Sequence, residues 1–183
     1  MTMSTEFREQ LVAAIPGLRA FGLSLTARGD RADDLVQETL MKAWKHYESF
    51  EPGTNMKAWL YTILRNEFYT QLRKRKREVE DADGVHSSRV AVHAEQEGHL
   101  DMADLRNALA KLTEDQREAI ILVGASGFSY EEAAEICKVA VGTIKSRVNR
   151  ARARLAVLMH IDPDENFGPD AHAEAVLNHA HRS

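Results

Sequence analysis

The chain has 183 residues, formal net charge -4, 44% apolar and 7% aromatic content, ten Gly and four Pro. This suits one mid-sized or two small domains and argues against an all-β chain. The polar start MTMSTEFREQ has no secretory core, the longest apolar-plus-glycine run (119–125) is too short to span a bilayer, and lone Cys137 excludes an intrachain disulfide or a multi-cysteine zinc site. The expectation is therefore a cytoplasmic protein with no membrane segment, no metal and no cofactor.

In chain order, residues 5–26 read as one or two helices broken at Pro16-Gly17. Next, Ala32, Leu35, Val36, Thr39, Leu40, Ala43, Trp44 and Tyr47 recur every three or four residues. That spacing predicts an amphipathic helix capped by Asp30, with Leu40 and Trp44 turned mostly inward. ESFEPGTN follows, with a turn at Pro52-Gly53. Thr54 or Asn55 then caps a helix over 55–77, built on Met56, Trp59, Leu60, Ile63, Leu64, Phe68 and Leu72.

Residues 78–98 lack a sustained period and read as a linker. Periodicity returns near His99 and continues to Met159 through two capping boxes, Thr113–Gln116 and Ser129–Glu132. Residues 160–183, with four His and five acids, read as a tail carrying at most a short helix. Charge is segregated along this plan. Residues 65–77 hold six bases and one acid, 78–104 hold eight acids and one base, and 140–159 hold five bases and no acid. Two basic working surfaces separated by an acidic connector are implied.

The stretch VGTIKSRVNRARARL resolves when turned at 100° per residue. Val141, Ile144, Val148, Ala151, Leu155 and Leu158 share one face, and Ser146 lies roughly opposite with Lys145, Asn149 and Arg150 beside it. Arg147, Arg152 and Arg154 fringe the apolar stripe. A short capped helix over 130–137 and the connector Lys138-Val139-Ala140 precede it, which makes a helix-turn-helix. Lys145, Ser146, Asn149 and Arg150 are the candidates for reading base edges, while Arg147, Arg152 and Arg154 suit phosphates or neighbouring acids. A merely solvated face would ordinarily mix charge signs for i,i+4 pairing, and this helix has no acid.

Two motifs carry a family resemblance. GFSYEEAAEICKVAVGTIKSRVNRARARL resembles region 4, and DRADDLVQETLMKAWKHYESFEPGTNMKAWLYTILRNEF resembles region 2, of the extracytoplasmic-function (group IV) sigma factors of bacterial RNA polymerase. FEPGTNMKAWLYTILRN is similar to the EcfG general-stress subgroup. The resemblance implies an all-α fold of two small helical domains: 5–77 for core polymerase and the −10 element, 78–98 as acidic linker, and 99–159 for the −35 element. It implies that Asp33, Asp34, Gln37, Glu38 and Met41 face the β′ clamp helices. It further implies that HYESFEPGTN captures a flipped base, and that Asn55, Lys57, Tyr61, Arg65, Asn66 and Tyr69 meet the opened −10 strand. Core polymerase (through the β′ clamp helices and β flap), promoter DNA and a small anti-sigma protein are the implied partners. The acidic linker is implied to pass near the polymerase active centre.

Two rivals belong to other classes. A sigma-like decoy would sequester an anti-sigma factor without initiating transcription, and would need neither DNA-facing feature. A plain helix-turn-helix repressor would leave the first half without a role. An enzyme is disfavoured: the eight His are scattered or in the tail, and no phosphate loop or nucleophile–base pair is present.

Overall fold

The computed structural model describes residues 5–81 and 100–160, with side chains over 5–78 and 103–160. Regular structure among them is entirely helical. A first bundle contains α1 (Thr5–Thr26), α2 (Gly29–Lys45) and α3 (Met56–Asp81). A second contains α4 (Leu100–Ala110), α5 (Glu114–Ile120), α6 (Tyr130–Cys137) and α7 (Val141–Met159).

The expected break at Pro16 does not occur, because α1 runs through it. A proline inside a helix deletes one backbone hydrogen bond. Here Phe7 and Leu11 before it, and Leu18, Phe21 and Leu25 after it, are buried along the helix and hold both halves in line. The helix ends at Ala27, whose φ of 56° turns the chain. The cap of α2 is Arg28, not Asp30. Asp30 sits in the first turn, where its carboxylate faces the positive helix end and pairs with Arg28 at 2.6 Å.

Ala32, Leu35, Val36, Thr39 and Ala43 form the buried stripe of α2, and the Thr39 hydroxyl donates to the Leu35 carbonyl at 2.7 Å. Trp44 is 53% exposed, contrary to its expected inward setting. It lies one residue, about 100°, past Ala43, so the stripe packed on α1 and α3 leaves it outside. After a single 3-10 turn (Tyr47–Ser49), Gly53 takes φ 88°, the turn expected at Pro52-Gly53. Phe7 contacts Tyr47, Phe50 and Trp59 edge-on at 5.8–6.3 Å, pinning this loop to α1 and α3.

Asn55 caps α3, its side-chain oxygen accepting from the Ala58 amide at 3.0 Å. The helix then continues past Arg77 to Asp81, so the first four residues expected in the linker are helical. They contain no breaker, and Glu78 faces Lys74 one turn back, bringing negative charge to a strongly basic helix end. The rest of the expected linker, 82–98, and tail residues 161–183 lie outside the described residues.

Both expected capping boxes form in the second bundle, at Thr113/Gln116 and Ser129/Glu132. α5 opens into a π-helical segment, Ile121–Ala125, where the Ser126 amide bonds the Ile121 carbonyl five residues back at 2.8 Å. Lys138 adopts the left-handed conformation (φ 56°) between α6 and α7. A continuous apolar cluster runs through both bundles, joining Leu18, Phe21, Tyr61 and Leu64 to Leu122, Phe128, Ile136, Ile144 and Val148. A smaller one, Ala108, Leu112, Ala151 and Leu155, seats α4 on α7.

Candidate nucleic-acid interface

α6 and α7 meet as a helix-turn-helix. Ala133, Ala134, Ile136 and Cys137 of α6 are buried, with Ile144, Val148, Ala151, Leu155 and Ala156 of α7. That stripe orients the rest of α7. Lys145, Asn149, Arg150 and Arg154 are exposed, and Ser146 and Arg152 are half-buried. Lys145 rests its ammonium 5.7 Å from the Tyr130 ring. Arg147 turns back onto the bundle and donates to Asp115 of α5 at 2.8 Å, its side chain 20% exposed. Of the two roles the sequence allowed this arginine, the neighbouring acid is the one seen here.

The α3 face expected to meet single-stranded DNA is arranged differently from its helical projection. Tyr61 is 1% exposed and the Arg65 side chain 15%, so neither points into solvent. Both are covered by the second bundle. Arg65 donates to Glu118 of α5 through two nitrogens, at 2.7 and 3.2 Å, and lies 4.7 Å from the Tyr69 ring. Tyr61 stacks on Phe21 at 5.0 Å and receives Phe128 edge-on at 4.9 Å. Lys57 donates to the Ser126 carbonyl and sits 4.8 Å from the Phe128 ring. The Asn55 amide donates to Glu132 of α6 at 2.7 Å. Tyr69 is half-buried and Asn66 exposed, both lining an open crevice of about 440 Å³ between the bundles with Arg73 and Lys138.

These contacts depend on Glu118, Ser126 and Phe128, which sequence reasoning did not single out, and on Glu132, which it expected only as part of a capping box. Glu118 carried a readable signal. It precedes the apolar run Ala119–Val123, and a charge on a buried helical face needs a partner. Its side chain is fully buried. Burial lowers the Arg65 pKa, but the hydrogen bonds and charge of Glu118 outweigh that and raise it above its ordinary value. Burial, reinforced by the Glu118 carboxylate, pushes Tyr69 up to about 12. The Cys137 thiol rises to about 12 for the same reasons.

On α2, Asp33, Asp34, Gln37, Glu38 and Met41 are all exposed, as their helical phase predicts. Asp33 is tied to Arg19 of α1 at 2.6 Å. Exposed Trp44 adjoins them, giving the acidic edge an apolar element in Met41 and Trp44. Behind it, Lys42 bonds Glu67 of α3, and Glu67 also accepts from Gln71 at 2.9 Å. Burial raises the Glu67 pKa, but these two partners more than offset it, and the carboxyl lies below its ordinary range. No cluster of His, Cys, Asp and Glu able to hold a metal occurs among the described residues. Nor is any described helix long and apolar enough to cross a membrane.

The two bundles correspond to two known modules in this order: residues 11–78 match Sigma-70 region 2 and residues 102–155 match Sigma-70, region 4. That pairing defines a two-domain sigma protein. The chain belongs to the extracytoplasmic-function sigma factors of bacterial RNA polymerase. It is 56% identical to the ECF RNA polymerase sigma factor EcfG of Rhodopseudomonas palustris (strain TIE-1), over 97% of this chain and 98% of that one. CnrH of Cupriavidus metallidurans is 30% identical over 84% of each chain. Among solved structures, sigma factor RpoE in complex with the anti-sigma factor NepR from Bartonella quintana superposes with a TM-score of 0.78. That match has 60% identity and covers 87% of this chain and 99% of that one.

Proposed function

We propose that this sigma factor docks on core RNA polymerase and divides promoter recognition between its bundles, α7 reading the −35 element as duplex and α3 holding the opened −10 strand. The exposed, acid-free face of α7 behind a capped helix-turn is the observation that carries this reading. Lys145, Asn149 and Arg150 project from it, long enough to reach base edges, with Ser146 between them and Arg152 and Arg154 available to phosphates. Asp33, Asp34, Gln37, Glu38 and Met41, with Trp44, form the surface for the β′ clamp helices, and the second bundle meets the β flap.

On α3, Asn55, Lys57, Arg65 and Asn66 offer amides and cations while Tyr61 and Tyr69 offer rings, a combination suited to a single strand. Linking two weak modules to one polymerase raises the effective concentration of each at its own element. The polymerase supplies the chemistry, so the chain itself is not an enzyme and uses no cofactor. Its working place is the cytoplasm, where the polymerase is. The high identity to a sigma factor captured with NepR supports a small anti-sigma protein as its inhibitor and a general stress response as its setting.

Run-off transcription with core polymerase on a promoter carrying paired −35 and −10 elements tests the reading. A transcript dependent on both elements is expected. Stable capture of an anti-sigma protein with no transcript would favour the decoy instead.

A further inference from the structure

Two cations of α7 are held in different ways. Arg147 donates to the Asp115 carboxylate at 2.8 Å, a contact that occupies a donor and offsets its charge. Lys145 instead sets its ammonium 5.7 Å from the centre of the Tyr130 ring. That is inside the reach, about 6 Å, over which a ring face attracts a cation. Among the described residues no carboxylate forms an ion pair with Lys145. A ring attracts a cation through its quadrupole, so the charge and the N–H donors of the ammonium stay available.

Tyr130 is a fixed platform. It opens α6 directly after the Ser129 cap, and the capping box with Glu132 sets that first turn. Its half-buried ring packs against the main apolar cluster. Lys145 is exposed in the second turn of α7, within the N-terminal part that meets base edges in a helix-turn-helix. A lysine side chain gives up much rotamer freedom on binding, and a ring that already restricts it lowers that cost.

We propose that Tyr130 is a positioning residue for −35 recognition: its ring holds Lys145 toward the O6 and N7 acceptors of a guanine and leaves the ammonium free to donate to them. This rests on the reading of α7 as the −35 helix. Because the tyrosine acts through the lysine, its influence falls on one base pair. Loss of α6 packing would instead weaken every position alike.

The test is competition binding by polymerase holoenzyme carrying the full chain, on −35 duplexes altered one base pair at a time. Lys145→Ala should abolish discrimination at one guanine position, which locates the contact. Tyr130→Leu keeps apolar bulk without a ring and should lower discrimination at that same position about two- to fivefold, the effect of an exposed cation–ring contact. Tyr130→Phe keeps the ring and should retain it. With Lys145→Ala already present, Tyr130→Leu should change nothing further there. Circular dichroism establishes that the helices persist; if Tyr130→Leu loses them, Tyr130→Met is judged by the same reading. Unchanged or sharper discrimination in the helical variant overturns the positioning role, and so does a uniform loss at every position. An equal loss in Tyr130→Phe also overturns it and assigns the effect to the hydroxyl. If Lys145→Ala weakens all sites alike and lowers the salt slope by about one, Lys145 meets a phosphate and the proposal fails with its base-reading role. Unaltered binding by both Lys145→Ala and Arg150→Ala would put the assignment of α7 itself at fault.

Discussion

At Gly17 an added Cβ would come within 2.7 Å of the Tyr61 hydroxyl, with the ring carbon behind it at 3.8 Å. Tyr61 cannot easily retreat, being held between Phe21 and Phe128. Gly17→Ala should destabilise the chain by about 1–3 kcal/mol through overpacking. Tyr61→Phe removes the offending oxygen, so the double variant should recover most of that loss in urea melts. Equal melting of the single and double variants would contradict this. A second residue-scale expectation concerns Arg150, exposed on α7. Arg150→Ala should cost about 1–3 kcal/mol of −35 discrimination in competition binding with the polymerase holoenzyme. An unchanged preference between matched and mismatched sites would remove it from the readout set. Arg147 belongs to another class, since its bond to Asp115 braces α5 against α7.

Among elements, α6 shows how local chemistry can fix a short helix. Ser129 accepts from the Glu132 amide at 3.0 Å and Glu132 accepts from the Ser129 amide at 2.8 Å, so both ends of the capping box are closed. Isolated helices this short are marginal, and caps carry an unusual share of their stability. Ser129→Ala should cost about 1 kcal/mol, seen as a lower urea midpoint for the second bundle; no shift would mean that tertiary packing alone sets α6. These boxes, the Asn55 cap and the α7 stripe were legible because each rests on residues within one or two turns. The unbroken α1 was not, because the energy that overrides Pro16 comes from α2 and α3, distant in sequence. Trp44 was misassigned for a related reason. Periodicity marks an apolar face but not where a neighbouring helix stops covering it.

Across the whole molecule, the seam between the bundles gathers groups whose protonation reports closure. Tyr69 faces Arg65 of α3 and Glu114, Asp115 and Glu118 of the second bundle, and Cys137 lies near Glu118, Arg65 and Arg147. Both acids sit at about 12, above ordinary values of 10.0 and 9.0. A raised pKa means that the folded state favours the neutral form. Their contribution is therefore complete below about pH 9 and lost as pH rises towards 12. Urea midpoints should fall between pH 9 and 11.5, and a flat profile there would contradict the assignment. In Glu118→Gln the ultraviolet titration of Tyr69 should move down towards 10, since a raising charge has been removed.

The sequence by itself determined the two capping boxes, the basic face of α7 and the acidic edge of α2, since each follows from near-neighbour chemistry and helical phase. It did not single out Glu118, although the position of that residue ahead of the apolar run 119–123 makes it a charge in need of a partner. Only the tertiary structure decided that the partner is Arg65, fifty-three positions away, and that Tyr61 and Lys57 turn to the second bundle. The physical reason is that a helical projection identifies the side facing away from its own bundle. Whether that side meets water, DNA or another part of the chain depends on long-range docking, here governed by a buried charge pair and an aromatic contact.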